Sequence, residues 1–352
     1  MSDHDYSATL LDAVATARAD GEKIRIEGAG TKAKLGRAVE GKTLDVRNHR
    51  GVVSFEPTEL VITARTGTTI AELDAALAEK GQILPFEPPR FDGSATLGGT
   101  LAAGLSGPRR PFAGAARDVV LGVRVITGKG EHLRFGGEVI KNVAGYDVSR
   151  LMVGAFGTLG VITEASIKIL PTPALTQTIV LETSPESAID ELDRIAGLSI
   201  PLSGLAFADG LIRIRLAGTQ AGVASASAML GGEVLADADA WWTGLRDHSL
   251  DFFSGDLPLW RVVVPAATPH LDVHGQWLLD WSGTQRWLRS NADATVIRAA
   301  ASAVGGHATC YSGHASEPFH PLTDGIARLH SRLKDAFDPD RIMNVGRMYA
   351  DT

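Results

Sequence analysis

Three glycine-rich segments in the first half of the chain constrain its fold more than any other feature: EGAGTKAKLG (27–36), SATLGGTLAAGLSGPRR (94–110) and GAFGTLGVIT (154–163). The second holds four glycines, no carboxylate and no lysine, and ends in Arg109 and Arg110. An interior glycine costs a helix about 1 kcal/mol relative to alanine, so packing alone does not select such a segment. Two physical reasons remain: turns that need positive φ, and a ligand so close to the main chain that a Cβ would collide with it. In each segment the glycines lie beside a strand or short helix, where exposed N–H groups can converge on an anion. One such loop is a weak signal, but three in one half of a chain point to a shared site.

The kind of anion is narrowed by what is missing. A nucleotide-triphosphate loop requires G-x-x-x-x-G-K-[ST], which no segment supplies. A Rossmann loop requires G-x-G-x-x-G opening a long helix. GAGTKA instead has Ala33 at the last glycine position and runs into LGRAVEGKTLDV, which lacks helical periodicity, although Asp45 could serve as the ribose acid.

Periodicity around these segments alternates between helix and strand. Leu10, Leu11, Val14 and Ala17 recur at helical spacing, KIRIEG and LVITAR read as strands, and TIAELDAALAEKG is a helix opened by a Thr69/Glu72 capping box and closed by Gly81. VVLGVRVITGKGEHLRF reads as a hairpin turning through Gly128 and Gly130, and VITEASIKILP is a strand ending at Pro171. Beyond Pro171 and Pro173 follow the strand TIVLE, a helix in TSPESAIDELDRI, a hairpin turning at Asp209-Gly210, the Ala-rich helix AGVASASAML, a helix after Asn291, the strand GGHATCY, and a last helix PLTDGIARLHSRLKDAF. That order describes a second, smaller α+β domain.

At 352 residues the chain has room for two or three domains, and two are expected. An apolar content of 44% with 21% charged residues is that of a globular protein. The opening MSDHDYSATL lacks the basic and apolar regions of a signal peptide, and no run reaches the ~18 apolar residues of a membrane span, so a cytoplasmic location is expected. The single cysteine, Cys310, excludes an internal disulfide and an all-Cys iron–sulfur or zinc site within this chain. A net charge of -7 argues against a large nucleic-acid surface.

From Lys23 to Pro171 the sequence resembles the FAD-binding domain of the vanillyl-alcohol oxidase and p-cresol methylhydroxylase (PCMH) family. The resemblance rests on GAGTKA, ATLGGTLAAGLSGPRR, RDVVLGVRVITGKGE and GYDVSRLMVGAFGTLGVIT in that order. More narrowly, KNVAGYDVSRLMVGAFGTLGVITE, TLDVRNHRG, EPTELVITAR, GGHAT and FDPDRIMNVGRMY resemble the FAD-binding subunits of bacterial glycolate oxidases over nearly the full length. The fold this implies is α+β: a two-subdomain PCMH-type FAD-binding domain at 1–171, a smaller ferredoxin-like cap domain at 172–336, and a C-terminal segment at 337–352 that returns to the flavin.

The resemblance also implies a site. The pyrophosphate of an extended FAD would meet Gly28, Ala29, Gly30, Thr31 and Lys32 in the first loop and Thr96, Gly98, Gly99, Ala102, Ser106 and Gly107 in the second. Pro85, Gly157, Gly160 and Ile162 complete the cofactor contacts, with Asn344, Gly346 and Arg347 in a segment like the family's closing N-P-G-[KR], where Val345 replaces Pro. The first loop lacks the His through which some relatives bond their flavin, so FAD is expected to be non-covalent. Arg109 and Arg110 could face phosphate or a partner protein, or be solvated surface residues.

The substrate chemistry is less complete. Oxidation of a 2-hydroxy acid needs an Arg for the carboxylate and a base for the hydroxyl. The family's H-x-G-D-G-N-x-H motif is absent, and the nearest string is HASEPFH (314–320). His307 in GGHAT is the candidate base, with a structural role as the alternative. His307, His314, His320 and His330 lack the spacing of a metal motif, and no metal is expected. The six tryptophans all lie in the C-terminal half, and GQWLLDWSGTQRWLRS reads as an aromatic edge hairpin, either packed in a core or docking a partner.

Three functions remain open. The first is the FAD-bearing subunit of a glycolate oxidase complex, associated with the membrane through that complex, in which a homologous flavin subunit holds glycolate or a similar 2-hydroxy acid and an iron–sulfur subunit takes the electrons. The second is a self-sufficient hydroxy-acid oxidoreductase with His307 as base. The third is a non-catalytic scaffold.

Overall fold

A computed structural model describes residues 3–137, 147–313 and 316–350. The motif residues at 141–146 and His314 lie outside the described residues. The chain divides into two compact units: Met1–Ser106, Gly114–Pro171 and Pro321–Thr352 form the first, and Gly107–Ala113 and Thr172–His320 the second.

In the first unit, strands Ile24–Glu27 and Lys42–Asp45 pair in parallel. A separate five-stranded antiparallel sheet has the lateral order Val52–Glu56, Val61–Arg65, Val161–Lys168, Val120–Ile126, His132–Gly136. Strand Val61–Arg65 is buried along its whole length, its polar Thr63 and Arg65 included. Helix Ser7–Asp20 turns Leu10, Val14 and Ala17 onto Ile24, Leu44, Ile126 and Val161. Helix Ile70–Ala78 opens on the expected capping box: the Glu72 carboxylate accepts from the Thr69 N–H at 2.8 Å, and Thr69 Oγ1 accepts from the Glu72 N–H at 3.1 Å. Its Ile70, Leu73 and Leu77 are fully buried in the same core as Leu97 and Leu101 of helix Leu97–Ala103.

The last helix, Asp324–Phe337, belongs to this first unit, although periodicity alone assigned it to the domain that precedes it in sequence. Leu333 and Phe337 pack on the core of the first unit, and Lys334 is buried there. An amphipathic stripe states that a helix has a buried face but not which core receives it.

The second unit contains one antiparallel sheet of eight strands, ordered Glu233–Val234, Leu175–Glu182, Leu211–Gly218, Leu202–Ala208, Gln276–Asp280, Gln285–Arg289, Leu259–Val263, His307–Ser312. Its first four strands follow β-α-β-β-α-β connectivity with helices Pro185–Ala196 and Gln220–Leu230 packed against them through Ala188, Leu192, Ile195, Val223 and Ala226. The hairpin at Asp209-Gly210 turns with both residues at positive φ, 54° and 76°, the twist that suits a two-residue connection. The tryptophan-rich hairpin is interior to the sheet rather than at its edge. Trp242, Trp260, Trp281 and Trp287 are each 2–3% exposed, so packing accounts for most of the aromatic content.

Candidate functional site

The first unit encloses a cavity of about 390 Å³ to which all three glycine segments contribute. Gly28, Ala29, Gly30, Thr31 and Lys32 line it from the first loop, Thr96, Gly98, Gly99 and Ala102 from the second, and Gly157 and Ile162 from the third region. Asn344 and Arg347 reach it from the C-terminal segment.

The glycines are bare for different reasons. A Cβ on Gly28 would stand 2.5 Å from Thr96 Oγ1, so the first two loops touch through that position. A Cβ on Gly98 would meet Thr66 Cβ at 2.7 Å and Thr66 O at 3.2 Å, which makes this glycine a requirement of protein packing rather than of a ligand. Gly99 is the opposite case. Its Cβ would meet Thr96 Oγ1 at 3.1 Å and Lys32 Nζ at 4.0 Å, and the remaining direction is the cavity. Gly157, at φ 72°, leaves room for the Asn344 amide, which a Cβ would approach to 2.7 Å.

The C-terminal segment is tied down by polar contacts. Asn344 Oδ1 accepts from the Ile26 N–H at 2.8 Å and its Nδ2 donates to Phe156 O at 2.7 Å, so one amide joins the first and third regions. Arg347 donates to the carbonyls of Arg37 (2.7 Å), Lys32 (2.9 Å) and Ala33 (3.2 Å), which fixes the far side of the first loop. Behind these residues Lys334 donates to Thr158 O (2.8 Å), Met343 O (2.7 Å) and Asp338 Oδ2 (2.8 Å). Asp338 in turn accepts from the N–H groups of Ile342 and Met343. Every charge in that buried pair is hydrogen-bonded, the condition under which such a pair is tolerated.

The donor set suits an anion. Among the described residues the main-chain N–H groups of Ala29, Gly30 and Thr31, half-buried along the lining, find no protein acceptor, which leaves them available to an anion. Lys32 lies over the Phe91 ring at 5.2 Å and donates to Thr31 Oγ1 at 3.0 Å. Removal of its ammonium from water pushes its pKa down to about 8, and Asp92 offsets only part of that effect. A neighbouring anion would relieve the same cost. Apolar Ile26, Val39, Val46 and Ile162 supply surface for the rest of an elongated ligand. A dinucleotide flavin, with an anionic centre and flat apolar ends, matches this combination.

Other expected site residues lie elsewhere. Pro85 is buried away from the cavity lining. Ser106 Oγ accepts from the Ala116 N–H at 3.0 Å, and Gly107 belongs to the second unit, where its carbonyl accepts from Trp281 Nε1 at 3.0 Å. Gly160 is required by packing, since a Cβ would reach Ile126 O at 2.6 Å, and Gly346 shapes the turn in which the Arg347 N–H bonds Asn344 O. Sequence reasoning missed Arg25, Ile26, Glu27, Ala33, Ala38, Val39, Val46, Ala103 and Phe156 as lining residues. Only Phe156, at φ 52° within the Gly154-Ala155-Phe156-Gly157 run, carried a local signal of unusual backbone.

Among the described histidines of the second unit, His307 and His320 lie with ring centroids 6.5 Å apart. His307 begins the strand His307–Ser312 in the second unit, and partial burial, then Arg261, His320 and Arg110, hold its imidazole below the usual pKa. His320 contacts Ser302 Oγ and the Ala308 N–H, while His330, in the first unit, packs on Tyr349. Among the described residues no group of three or more His, Cys, Asp or Glu side chains is placed to hold a metal. No described helix is long and apolar enough to cross a membrane.

Comparison with known proteins agrees with this geometry. The FAD binding domain family model matches residues 6–136, so the first unit carries a flavin-dinucleotide domain of the PCMH type. Over its full length the chain is 48% identical to the glycolate oxidase subunit GlcE of Escherichia coli (strain K12), across 99% of this chain and 98% of that protein. It is 33% identical to the glycolate oxidase subunit GlcD of Bacillus subtilis (strain 168) across 46% of this chain and 34% of that one. An alkyldihydroxyacetonephosphate synthase structure shares the fold, with a TM-score of 0.69 at 17% identity, covering 97% of this chain and 75% of the other. The chain belongs to the GlcE family of glycolate oxidase subunits, a family of flavin oxidoreductases with FAD as cofactor.

Proposed function

We propose that this chain is the FAD-bearing subunit of a glycolate oxidase complex, holding its flavin without a covalent bond and passing electrons from a 2-hydroxy acid toward an iron–sulfur partner. The observation that carries the reading is the anion cradle of Ala29, Gly30, Thr31 and Lys32 facing Gly99, in a chain so similar to a glycolate oxidase subunit over its whole length. When bound, FAD supplies a hydride acceptor. The residues of the chain bind and orient: the loop N–H groups and Lys32 would neutralise pyrophosphate, Gly99 would let it approach, and Asn344 and Arg347 hold the cradle in shape. Among the described residues the cavity lining contains no His, Cys or Tyr, which favours a non-covalent flavin.

A separate electron acceptor is favoured because the single Cys310 cannot assemble a cluster on this chain. The similarity to a GlcD subunit across 46% of the chain favours a homologous flavin partner as holder of the substrate site. His307, whose imidazole pKa is held below its usual value by partial desolvation and by Arg261, favours the second reading, in which this chain is itself the oxidoreductase. Purification of the chain alone and with its partner subunits separates the two. We expect a flavin spectrum from the chain alone, with glycolate-dependent dye reduction only in the complex. Full activity from the chain alone, abolished by His307→Ala, would replace the first reading with the second.

A further inference from the structure

Residues 3–6 cross the first unit as a strap ahead of helix Ser7–Asp20. Two of its anchors are ion pairs with Arg65: Asp3 accepts from Arg65 Nε and Nη2, and Asp5 Oδ2 lies 3.0 Å from Nη2. The Asp3 and Asp5 side chains are 43% and 51% exposed, so water screens both pairs and each is worth little alone. The His4 N–H donates to Arg50 O at 2.8 Å. A further anchor is buried at its far end: the Tyr6 N–H donates at 3.0 Å to Nδ1 of His49, whose side chain is 1% exposed.

The Tyr6 bond sets the protonation of the His49 ring. Nδ1 accepts, so the single proton sits on Nε2 and the imidazole is neutral. An imidazolium carries hydrogens on both nitrogens and accepts at neither. His49 Nε2 makes no hydrogen bond among the described residues, although the Thr163 main chain lies close enough to favour the charged ring. The ring borders a cavity of about 220 Å³, lined also by Asp5, Arg65, Arg124, His132 and Glu164, with room for several waters through which a proton can arrive. None of these lining residues belongs to the flavin cavity.

The groups around the ring pull in both directions. Burial, then Arg65, oppose the cation, with a smaller contribution from His132, whereas Asp5 and the Thr163 main chain favour it; the net effect holds the His49 pKa below its ordinary 6.5. Arg124 is engaged with Glu164 at 3.2 Å, and Arg50, on the loop of His49, lies 4.0 Å from Glu72. His132 bonds Thr163 Oγ1 at 2.9 Å rather than the strap.

We propose that residues 3–6 form an acid-released strap with His49 as its latch: a second proton on the ring takes away the acceptor of the Tyr6 N–H and lets the strap leave the first unit. His49 itself stays in place, because its N–H donates to Val46 O at 3.1 Å and its carbonyl accepts from the Gly67 N–H at 2.8 Å. Asp5 Oδ1, at 3.7 Å from Nδ1, is too distant to receive the new hydrogen without movement of the strap, and it already accepts from the Ser7 N–H at 2.8 Å. Once the strap leaves, the ring meets water and recovers its ordinary affinity for protons. The released state therefore binds more protons below pH 6.5, so the latch is closed above that value and acid shifts the balance toward release, by at most about tenfold per pH unit for one proton. Asp3 and Asp5 are both held below their ordinary 3.8, so their pairs with Arg65 outlast the latch on acidification. The device does not depend on the flavin reading.

Hydrogen exchange of the full chain at pH 7.5, 6.5 and 5.5, read by mass spectrometry on peptides spanning the strap and corrected for the intrinsic pH dependence of exchange, tests the latch. Protection of the strap is expected to fall between pH 6.5 and 5.5 by up to about tenfold, while helix Ile70–Ala78 stays protected. His49→Asn places a non-titrating acceptor near the position of Nδ1 and should keep the strap protected throughout. His49→Phe offers no acceptor and should leave the strap unprotected at all three pH values; if it fails to fold, the parent and His49→Asn decide the matter. His132→Asn should retain the acid response. Equal protection of the parent strap at pH 7.5 and 5.5 would overturn the proposal, and so would an acid loss that persists in His49→Asn or vanishes in His132→Asn.

Discussion

Lys334 Nζ lies 2.8 Å from Asp338 Oδ2, with the two side chains 1% and 0% exposed, and this pair connects the last helix to the segment that carries Asn344 into the cavity. Lys334 also holds Thr158 O in the third glycine region and Met343 O next to Asn344. The clamp and the cradle are therefore one mechanical unit. Replacement of Lys334 by Met leaves the Asp338 carboxylate buried without its counter-charge, a change that typically costs about 3–5 kcal/mol. A lower melting temperature is expected together with reduced flavin content, checked by calorimetry and visible absorption. Unchanged melting would show that the pair is dispensable.

Gly98 and Gly99 separate fold from function. Gly98→Ala drives a Cβ into Thr66 and is expected to destabilise by about 1–3 kcal/mol, the usual range for overpacking. Gly99→Val extends toward the cavity and Lys32, so flavin should be lost while the melting temperature of the flavin-free protein stays near that of the parent. The reverse pattern, flavin retained in Gly99→Val, would make that loop a structural turn. Visible spectra and thermal denaturation of both variants provide the check.

These two residues also mark how far sequence reading reaches. The segment LGGT announces close approach at both positions, whereas the three-dimensional packing assigns Gly98 to Thr66 and Gly99 to the cavity. Local devices were legible because their causes are local: the Thr69/Glu72 box, the Asp209-Gly210 turn and the glycine loops each depend on a few adjacent residues. The placement of helix Asp324–Phe337 was not, since its core lies more than 150 residues away in sequence, at Thr158 and its neighbours. Val39 and Val46 give no sign of lining a site, because an apolar residue in a loop looks the same whether it covers core or ligand. The interior position of the tryptophan hairpin follows from strand order, which periodicity does not encode.

Lys32 gives the cradle a pH dependence. In the free chain its pKa is about 8 against an ordinary 10.5. Between these values the folded chain binds fewer protons at this residue than the unfolded chain, so the flavin-free protein gains stability from Lys32 as pH rises from about 8 toward 10.5, and carries the full cost of the buried ammonium below 8. A bound pyrophosphate raises the pKa, so binding takes up a proton above pH 8. FAD affinity is expected to be flat below pH 8 and to fall above it, by at most about tenfold per pH unit for one proton. Lys32→Met should weaken binding at pH 7 and flatten the profile. Fluorescence titrations at pH 7, 8, 9 and 10 measure both, and a Lys32→Met profile that still falls above pH 8 would move the proton to another group.

The final expectation concerns attachment. A bond between protein and flavin needs a nucleophilic side chain at the isoalloxazine, in practice His, Cys or Tyr, whereas among the described residues the cavity lining offers glycine, alanine, threonine, aliphatic residues, one phenylalanine and charged or amide groups. Cys310 is buried in the second unit against Trp260 and Leu288, among core residues. His307 also belongs to the second unit, and His307→Ala should leave flavin content intact. Acid precipitation of the purified protein is expected to leave the yellow colour in the supernatant, and a denaturing gel should show no fluorescent band at the position of the chain. A fluorescent band that persists in the parent and disappears in His307→Ala would identify His307 as an attachment point and remove it from the role of base.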